Sequence, residues 1–377
     1  MLERLIYSIL ESRFKKYMVY LISLMLFAGS IYMIPTELVK AKMLPGKDSD
    51  TFSIYVDLPK GKSVSDTKDV TSCIASILMQ EQDVISTSIF LAEGQPLDFA
   101  GMVKGSILKS EQNEAEMMIN INKASHRSEQ SYNMIHRIRP IIQNKCSHHD
   151  VNIKFVELPS GPPVLASVVG EIYGGDSFES RREFAHKIAN IFKQQKTLVD
   201  VDVLADETTK KYSLILDNNK VLESGVGLEQ VKKMLYIGFE GFGLGVVNDA
   251  NAQNQIPLFV RIGDCRVLKD GSKKELLKKL KNLMLMNEMG LMIPMSEFVT
   301  IKETLQAPTI TSKNLKNMIN VIAETDMDSQ IYPLLDARND MLNQMTNDYE
   351  VTKSNMLNLS FKDKKTQEVF ELVWDGE

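Results

Sequence analysis

Met284, Met286, Met289, Met292 and Met295 crowd into one short stretch of the 377-residue sequence. Thioethers are soft ligands that select Cu(I), so this spacing suits a substrate pathway for a soft metal ion. Methionine is also the usual filler of irregular cores and adaptable surfaces, and packing is the plainer reading. Cys146, His148, His149 and Asp150 bring ligand types together in the turn between a helix and a strand. Neighbouring ligands rarely close a tetrahedral site without distant partners, so this group reads as a solvated turn and no metal site is assigned. Gly238-Phe-Glu-Gly-Phe-Gly-Leu-Gly is glycine-rich, without the strand-to-helix context and Gly-Lys-Ser/Thr ending of a phosphate loop. Its Phe239 and Phe242 are instead candidates to dock against a partner.

The lysine-rich run Lys269–Lys281 also carries Leu276, Leu277 and Leu280, which reads as a solvated helix face over a small apolar stripe. No Ser–His–acid elbow and no paired-carboxylate motif stands out, so the expectation is a protein without catalytic residues or a cofactor, not an enzyme. The net charge of −5 lacks the clustered basic footprint of a nucleic-acid binder. Cys73, Cys146 and Cys265 are odd in number and widely spaced, with no CxxC pair, so no disulfide framework is expected.

These residues need positioning, and the first element to do so is a membrane anchor. Tyr17 to Ile34 is uncharged and is closed by Pro35. As a helix it reaches about 27 Å, close to the hydrocarbon thickness of a bilayer. A signal peptide would have a shorter apolar core and a small-residue cleavage site. Arg4, Arg13, Lys15 and Lys16 precede the run, which keeps the N-terminus cytoplasmic and puts the bulk of the chain outside. Leu2, Leu5, Ile6, Ile9 and Phe14 recur at helical spacing, as for a short interfacial segment over residues 1–16.

Beyond the anchor, patterns of period 2 and period 3.6 alternate. Phe52, Ile54, Val56 and Leu58 mark a half-buried strand, and Ser63-Val-Ser-Asp caps a helix bearing Val70, Ile74, Ile77 and Leu78. Strands at Val84–Leu91 and Ala115–Ile121, a helix over Ser128–Gln143 and a strand at Val151–Val156 complete the order βαββαβ, the ferredoxin-like split βαβ unit. A long loop from Ala92 to Asn113 interrupts it and hints at a functional edge. The pattern restarts with a strand at Val164–Tyr173, a helix at Phe178–Lys193 and a strand at Leu198–Leu204. It resumes with strands at Glu297–Lys302 and Met318–Ala323, a helix at Ile331–Met345 and a strand over Glu350–Phe361. The segment between these halves reads as an insertion.

The order of landmarks resembles the second half of resistance–nodulation–division efflux permeases over nearly the whole chain. The matching stretches include Lys42-Met-Leu-Pro, Phe52–Pro59, Gly94-Gln-Pro-Leu-Asp-Phe-Ala-Gly-Met-Val-Lys, Val156-Glu-Leu-Pro-Ser-Gly-Pro-Pro, Glu171-Ile-Tyr-Gly, Leu198-Val-Asp-Val-Asp and Ile293-Pro-Met-Ser-Glu-Phe-Val. Lys313-Asn-Leu-Lys, Tyr332-Pro and Trp374-Asp-Gly-Glu complete the series. The resemblance implies an α+β protein, one transmembrane helix at 17–35 followed by repeated ferredoxin-like porter subdomains with an inserted docking subdomain. Porter units would occupy 48–157 and the split pair 158–205 and 293–362, with docking at 206–292 and 363–377 leading to a further span. It also implies an inner-membrane location with a periplasmic bulk, drug or metal-ion cargo, a homotrimer, and contacts with a periplasmic adaptor and an outer-membrane channel. One departure matters. No ionisable residue lies between Tyr17 and Ile34, whereas proton relays need titratable groups inside the membrane. Transport would therefore require the remaining spans on another chain. A membrane-tethered binding scaffold or a nonfunctional remnant is the alternative.

Overall fold

The computed structural model describes residues 7, 10–36, 38–39, 47–96, 99–158, 161–250, 252, 255–260, 273–325, 329–355 and 357–376. Most of the expected interfacial segment before residue 13, the Lys42-Met-Leu-Pro stretch and Lys269 lie outside the described residues. Helix α1 runs over Arg13–Met33, and none of its side chains is buried. Among the described residues it is the one helix long and apolar enough to cross a membrane.

The first unit comprises β1 (Thr51–Asp57), α2 (Val64–Leu78), β2 (Val84–Leu91), α3 (Phe99–Lys104), β3 (Glu114–Ile121), α4 (Ser131–Lys145) and β4 (Asn152–Val156). Its strands lie antiparallel in the order β2-β3-β1-β4. Val70, Ile74 and Leu78 of α2 and Ile135, Ile138 and Ile142 of α4 pack on Ile54, Val56, Met117 and Ile119. Each such side chain contributes about 1.5–3 kcal/mol on burial, which is why the two periodicities mark these elements so clearly. Ser63 and Asp66 close a reciprocal capping box at the start of α2.

Strand β1 departs from the half-buried expectation, because Ser53 and Tyr55 on its far face are buried as well. The long loop after β2 folds over that face. Lys109 lies 5.1 Å from the Tyr55 ring centroid, and the Gln95 N–H donates to the Glu116 carboxylate at 2.9 Å. Gly94 makes this approach feasible, since a Cβ there would stand 2.3 Å from the Ser106 carbonyl oxygen.

The second unit opens with β5 (Val168–Gly174), α5 (Phe178–Gln194) and β6 (Leu198–Leu204). The chain then leaves through β7 (Lys210–Leu216), α6 (Asn218–Glu223), α7 (Leu228–Phe239), β8 (Phe242–Val247), β9 (Ile256–Val260), α8 (Lys273–Asn282), β10 (Met284–Met286), β11 (Met292–Pro294) and β12 (Val299–Leu305). It returns with β13 (Thr311–Lys313), β14 (Lys316–Thr325), α9 (Ile331–Gln344), β15 (Tyr349–Lys353), β16 (Leu359–Asp363) and β17 (Val369–Gly376). The returning strands extend the sheet in the order β13-β14-β5-β17-β16-β15, with β6 also on β14. Phe184 of α5 centres the core, stacked on Phe370 at 4.4 Å and edge-on to Phe361 and Tyr349.

Two details differ from the sequence reading, and a third element was not anticipated. Strand β12 pairs along its whole length with β7 and packs with Val221, Leu276 and Phe298, so the inserted unit runs to Leu305 rather than to 292. The single strand expected over Glu350–Phe361 is a hairpin, β15 against β16. Within 363–376, Val369–Gly376 forms β17, which sits between β5 and β16. In each case alternation marks a strand but does not name its partner.

The cysteine expectation is also corrected. Cys73 of α2 and Cys146 at the end of α4 form a disulfide across 73 positions. The pairing escaped sequence arithmetic because it depends on two helices lying side by side. Closing a loop of this size lowers the entropy of the unfolded chain by about 4 kcal/mol of stability. Replacing both residues by serine should lower the urea midpoint of the first unit, corresponding to a stability loss of roughly 2–4 kcal/mol. Equal midpoints for the serine variant and the oxidised parent would contradict the bridge.

Candidate functional site

Strand β4 is an edge of the first sheet, and β6 lies at an edge of the second. Edge strands present unpaired backbone groups, and here side chains rather than a ladder join them. The pairing of β6 with β14 shifts register between Ile322 and Glu324, opposite Asp202 and Val199. A bulge of this kind re-aims a side chain. Asp200 lies within it at φ +52°, a left-handed conformation that aspartate tolerates.

The Asp200 carboxylate accepts the Phe155 N–H of β4 at 2.8 Å and the Gln143 side-chain amide at 3.3 Å. It also pairs with Arg139 of α4, both side chains being almost fully buried. The Arg139 guanidinium in turn covers the Phe155 ring at 4.9 Å. Burial pushes the Asp200 carboxyl up, with Arg139 and the Phe155 N–H opposing that rise.

A second junction lies beside it. Lys154 of β4 reaches Asp57 of β1 at 2.9 Å and Asp202 of β6 at 2.5 Å. Burial alone would push Asp57 up, but Lys154 and Lys109 outweigh it and hold the carboxyl below its ordinary value. Burial would likewise lower Lys154, and the two aspartates overcome it and raise the amine.

Over these junctions opens a cleft of about 1010 Å³. Tyr55, Asp57 and the segment Lys104–Lys109 form one wall, with His186 and Lys193 of α5 and Asp206 among those on the other. Ion pairs bridge it elsewhere. Lys60 meets Asp206 at 2.8 Å, and Lys104 meets Glu324 of β14 at 2.8 Å and the Leu165 carbonyl at 3.0 Å. Burial raises Asp206, but hydrogen bonds from Lys60 and Thr309 prevail and bring it to about 2. The loop expected to be a functional edge thus supplies cations to both the wall and the bridge. Chemically, the arrangement pairs opposite charges and holds the two units together across polar side chains.

Of the sequence candidates, Asp150 lines the cleft and the others lie elsewhere. Among the residues lining the cleft there is none of the five methionines and neither phenylalanine. Met284, Met286 and Met292 lie on the β10–β11 hairpin, with Met286 opposite Met292. These three and Met289 are exposed, whereas Met295 is fully buried in the core of the insert. Phe239 ends α7 with Lys279 4.2 Å from its ring, and Phe242 opens β8 with Lys233 at 5.3 Å. His148 and His149 meet edge-on at 5.2 Å, but Cys146 is held in the disulfide. Among the described residues no group of three or more His, Cys, Asp or Glu is placed to hold a metal ion.

Residues the sequence reading missed form the cleft: Asp57, Lys154, Asp200 and Asp202 line it, and Arg139 is buried against Asp200. One signal was available, since Asp200 and Asp202 interrupt an otherwise apolar strand at period 2.

Two outcomes follow for stability. Asp200→Ala leaves Arg139 buried without its carboxylate and should cost about 3–5 kcal/mol in urea unfolding, whereas a loss near zero would refute a buried latch. Asp206 is depressed, so its pairing with Lys60 contributes fully above its ordinary 3.8 and is lost as pH falls toward about 2. In a parallel titration, Asp206→Asn should lose that part of the acid dependence; an unchanged profile would count against the pair.

A family model for the AcrB/AcrD/AcrF family matches residues 2–370. No curated protein matches the chain. Among solved structures, two crystal forms of a heavy metal efflux pump share its fold. The first has a TM-score of 0.64 at 15% identity, covering 94% of this chain and 33% of the pump chain. The second has a TM-score of 0.63 at 14% identity, covering 96% and 34%. The chain thus spans about a third of the length of these pump chains. On the extent of the family match, the protein belongs to the AcrB/AcrD/AcrF family of resistance–nodulation–division permeases.

Proposed function

We propose that this chain is the membrane-anchored porter and docking part of an efflux transporter, with the cleft between its two units as the cargo passage. The observation that carries the reading is the polar junction of β4 and β6. Two sheets whose edges meet through Asp200, Arg139, Lys154 and Asp202 can separate without exposing a shared apolar core. The strand order β2-β3-β1-β4 with two helices on one face supports reading the first unit as a ferredoxin-like porter subdomain. The second porter subdomain would combine β5–β6 with β13–β17, and the insert from β7 to β12 would be the docking subdomain.

Charged residues on both walls favour an ionic, hydrated cargo over a large apolar drug. That agrees with the heavy metal named for the structural neighbours. The Cys73–Cys146 bridge supports an oxidising, periplasmic setting for the bulk of the chain, with α1 in the inner membrane. Because α1 carries no Asp, Glu, Lys, Arg or His between Tyr17 and Met33, proton coupling would come from further spans. Docking would use Phe242, the exposed β8–β9 ribbon with Leu244, Leu258 and Phe259, and the methionine face of β10–β11. Thioethers adapt well to such contacts. An adaptor, an outer-membrane channel and two further copies of the chain are the partners this reading requires.

Extraction in mild detergent tests the proposal. The chain should emerge in an assembly that carries further spans, on the same or another polypeptide, and its deletion should sensitise cells to a metal cation. A chain that emerges alone, from cells whose efflux does not change on deletion, would favour a tethered scaffold instead.

A further inference from the structure

Helix α1 ends at Met33, and the Ile34 carbonyl just beyond it accepts a hydrogen bond from the Tyr332 hydroxyl of α9 at 2.8 Å. The outer end of the span and the first turn of α9 are therefore at one level. The second sheet delivers other groups to the same end. Strand β14 pairs Ala323 with Val168, and β17 pairs Gly376 with that same residue, so the carboxyl ends of both strands lie together. Strand β16 enters beside them, with Leu359 opposite Leu372. Just before it, the Leu357 carbonyl accepts from Arg338 Nε of α9 and from Trp374 Nε1 of β17, both at 3.2 Å.

The side chains at this end are unusual for a protein surface. Ile331 and Leu335, one turn apart on α9, are 47% and 39% exposed, and Leu357 is 40% exposed. Pro333, Ala337 and Met341 are the buried residues of the same helix, so Ile331 and Leu335 belong to its outward side. Tyrosine and tryptophan combine an apolar ring with a polar tip, which is the chemistry enriched where hydrocarbon meets headgroups. An exposed apolar stripe level with the end of a span fits that layer better than bulk water.

We infer that the first two turns of α9, with Leu357, form a lipid seat. Ile331, Leu335 and Leu357 enter the headgroup–acyl boundary of the phospholipid leaflet crossed by α1, and Tyr332 ties that seat to the span. The seat would fix the height of the second unit above the membrane. It rests on α1 spanning the bilayer.

The test uses the full chain in phosphatidylcholine vesicles, with Cys265→Ser as background and a fluorophore on single cysteines at three positions. Leu26→Cys reports the span, Leu335→Cys the seat, and Asn343→Cys a point about 12 Å further along α9. Nitroxides are carried either shallow or deep on the lipid chains. The seat requires loss of emission at position 335 with the shallow nitroxide, loss at 26 with the deep one, and none at 343. Quenching at 26 without quenching at 335 overturns the seat and leaves the span standing. No quenching at 26 removes the span, and the seat with it. Equal quenching at 335 and 343 also overturns the seat, because α9 would then lie along the surface.

Discussion

A carboxylate facing the backbone of a neighbouring sheet is the contact on which the architecture turns. Asp200 stands in a bulge of β6 and takes up the Phe155 N–H of β4, a donor that an edge strand otherwise leaves to solvent. Arg139 balances its charge, while Lys154 performs the reciprocal role from β4 toward Asp202. Continuing the ladder would have fused two sheets into one. A greasy interface would have bound them without a passage. Ion pairs inside a partly buried junction do neither: they fix geometry, contribute little net stability, and leave a polar-walled opening beside them.

The remaining parts support that junction from both sides. In the first unit, the loop after β2 covers the open face of its sheet and sends Lys109 to Asp57 and Lys104 to Glu324. Its glycine at position 94 permits the backbone crossing that makes this cover possible. The disulfide staples the two helices on the opposite face, so the sheet carrying β4 is held from both faces. In the second unit, the aromatic cluster around Phe184 anchors α5, whose His186 and Lys193 form part of the far wall. Rigid walls and a polar seam are what the proposed passage between the two units would demand.

Much of this was legible in the residues, and what was not shares one cause. Helix α1, most elements of the first unit and helix α5 announce themselves through local periodicity and caps such as Ser63 with Asp66. The destination of β12, the place of β17 and the Cys73–Cys146 pair depend on contacts between distant segments, which periodicity does not encode. The same holds for function. The methionine cluster drew attention because its members are close in sequence, yet they are exposed on a hairpin or, for Met295, buried in the insert. The charges that line the cleft come from β1, the loop after β2, β4, α5 and β6, and only the fold assembles them. The strand Leu198-Val-Asp-Val-Asp held the clearest local hint, since carboxylates at period 2 in an apolar strand require a cationic partner.

Whether the two units move apart to pass cargo can be measured across the Lys104–Glu324 bridge. Cysteines at both positions in a Cys265→Ser background, joined by a short bismaleimide, would fix the distance between the α3 segment and β14 in the assembled transporter. The account predicts that cross-linking abolishes export while a monofunctional maleimide on the same cysteines leaves it running. Export that continues at full rate with the bridge covalently closed would contradict it.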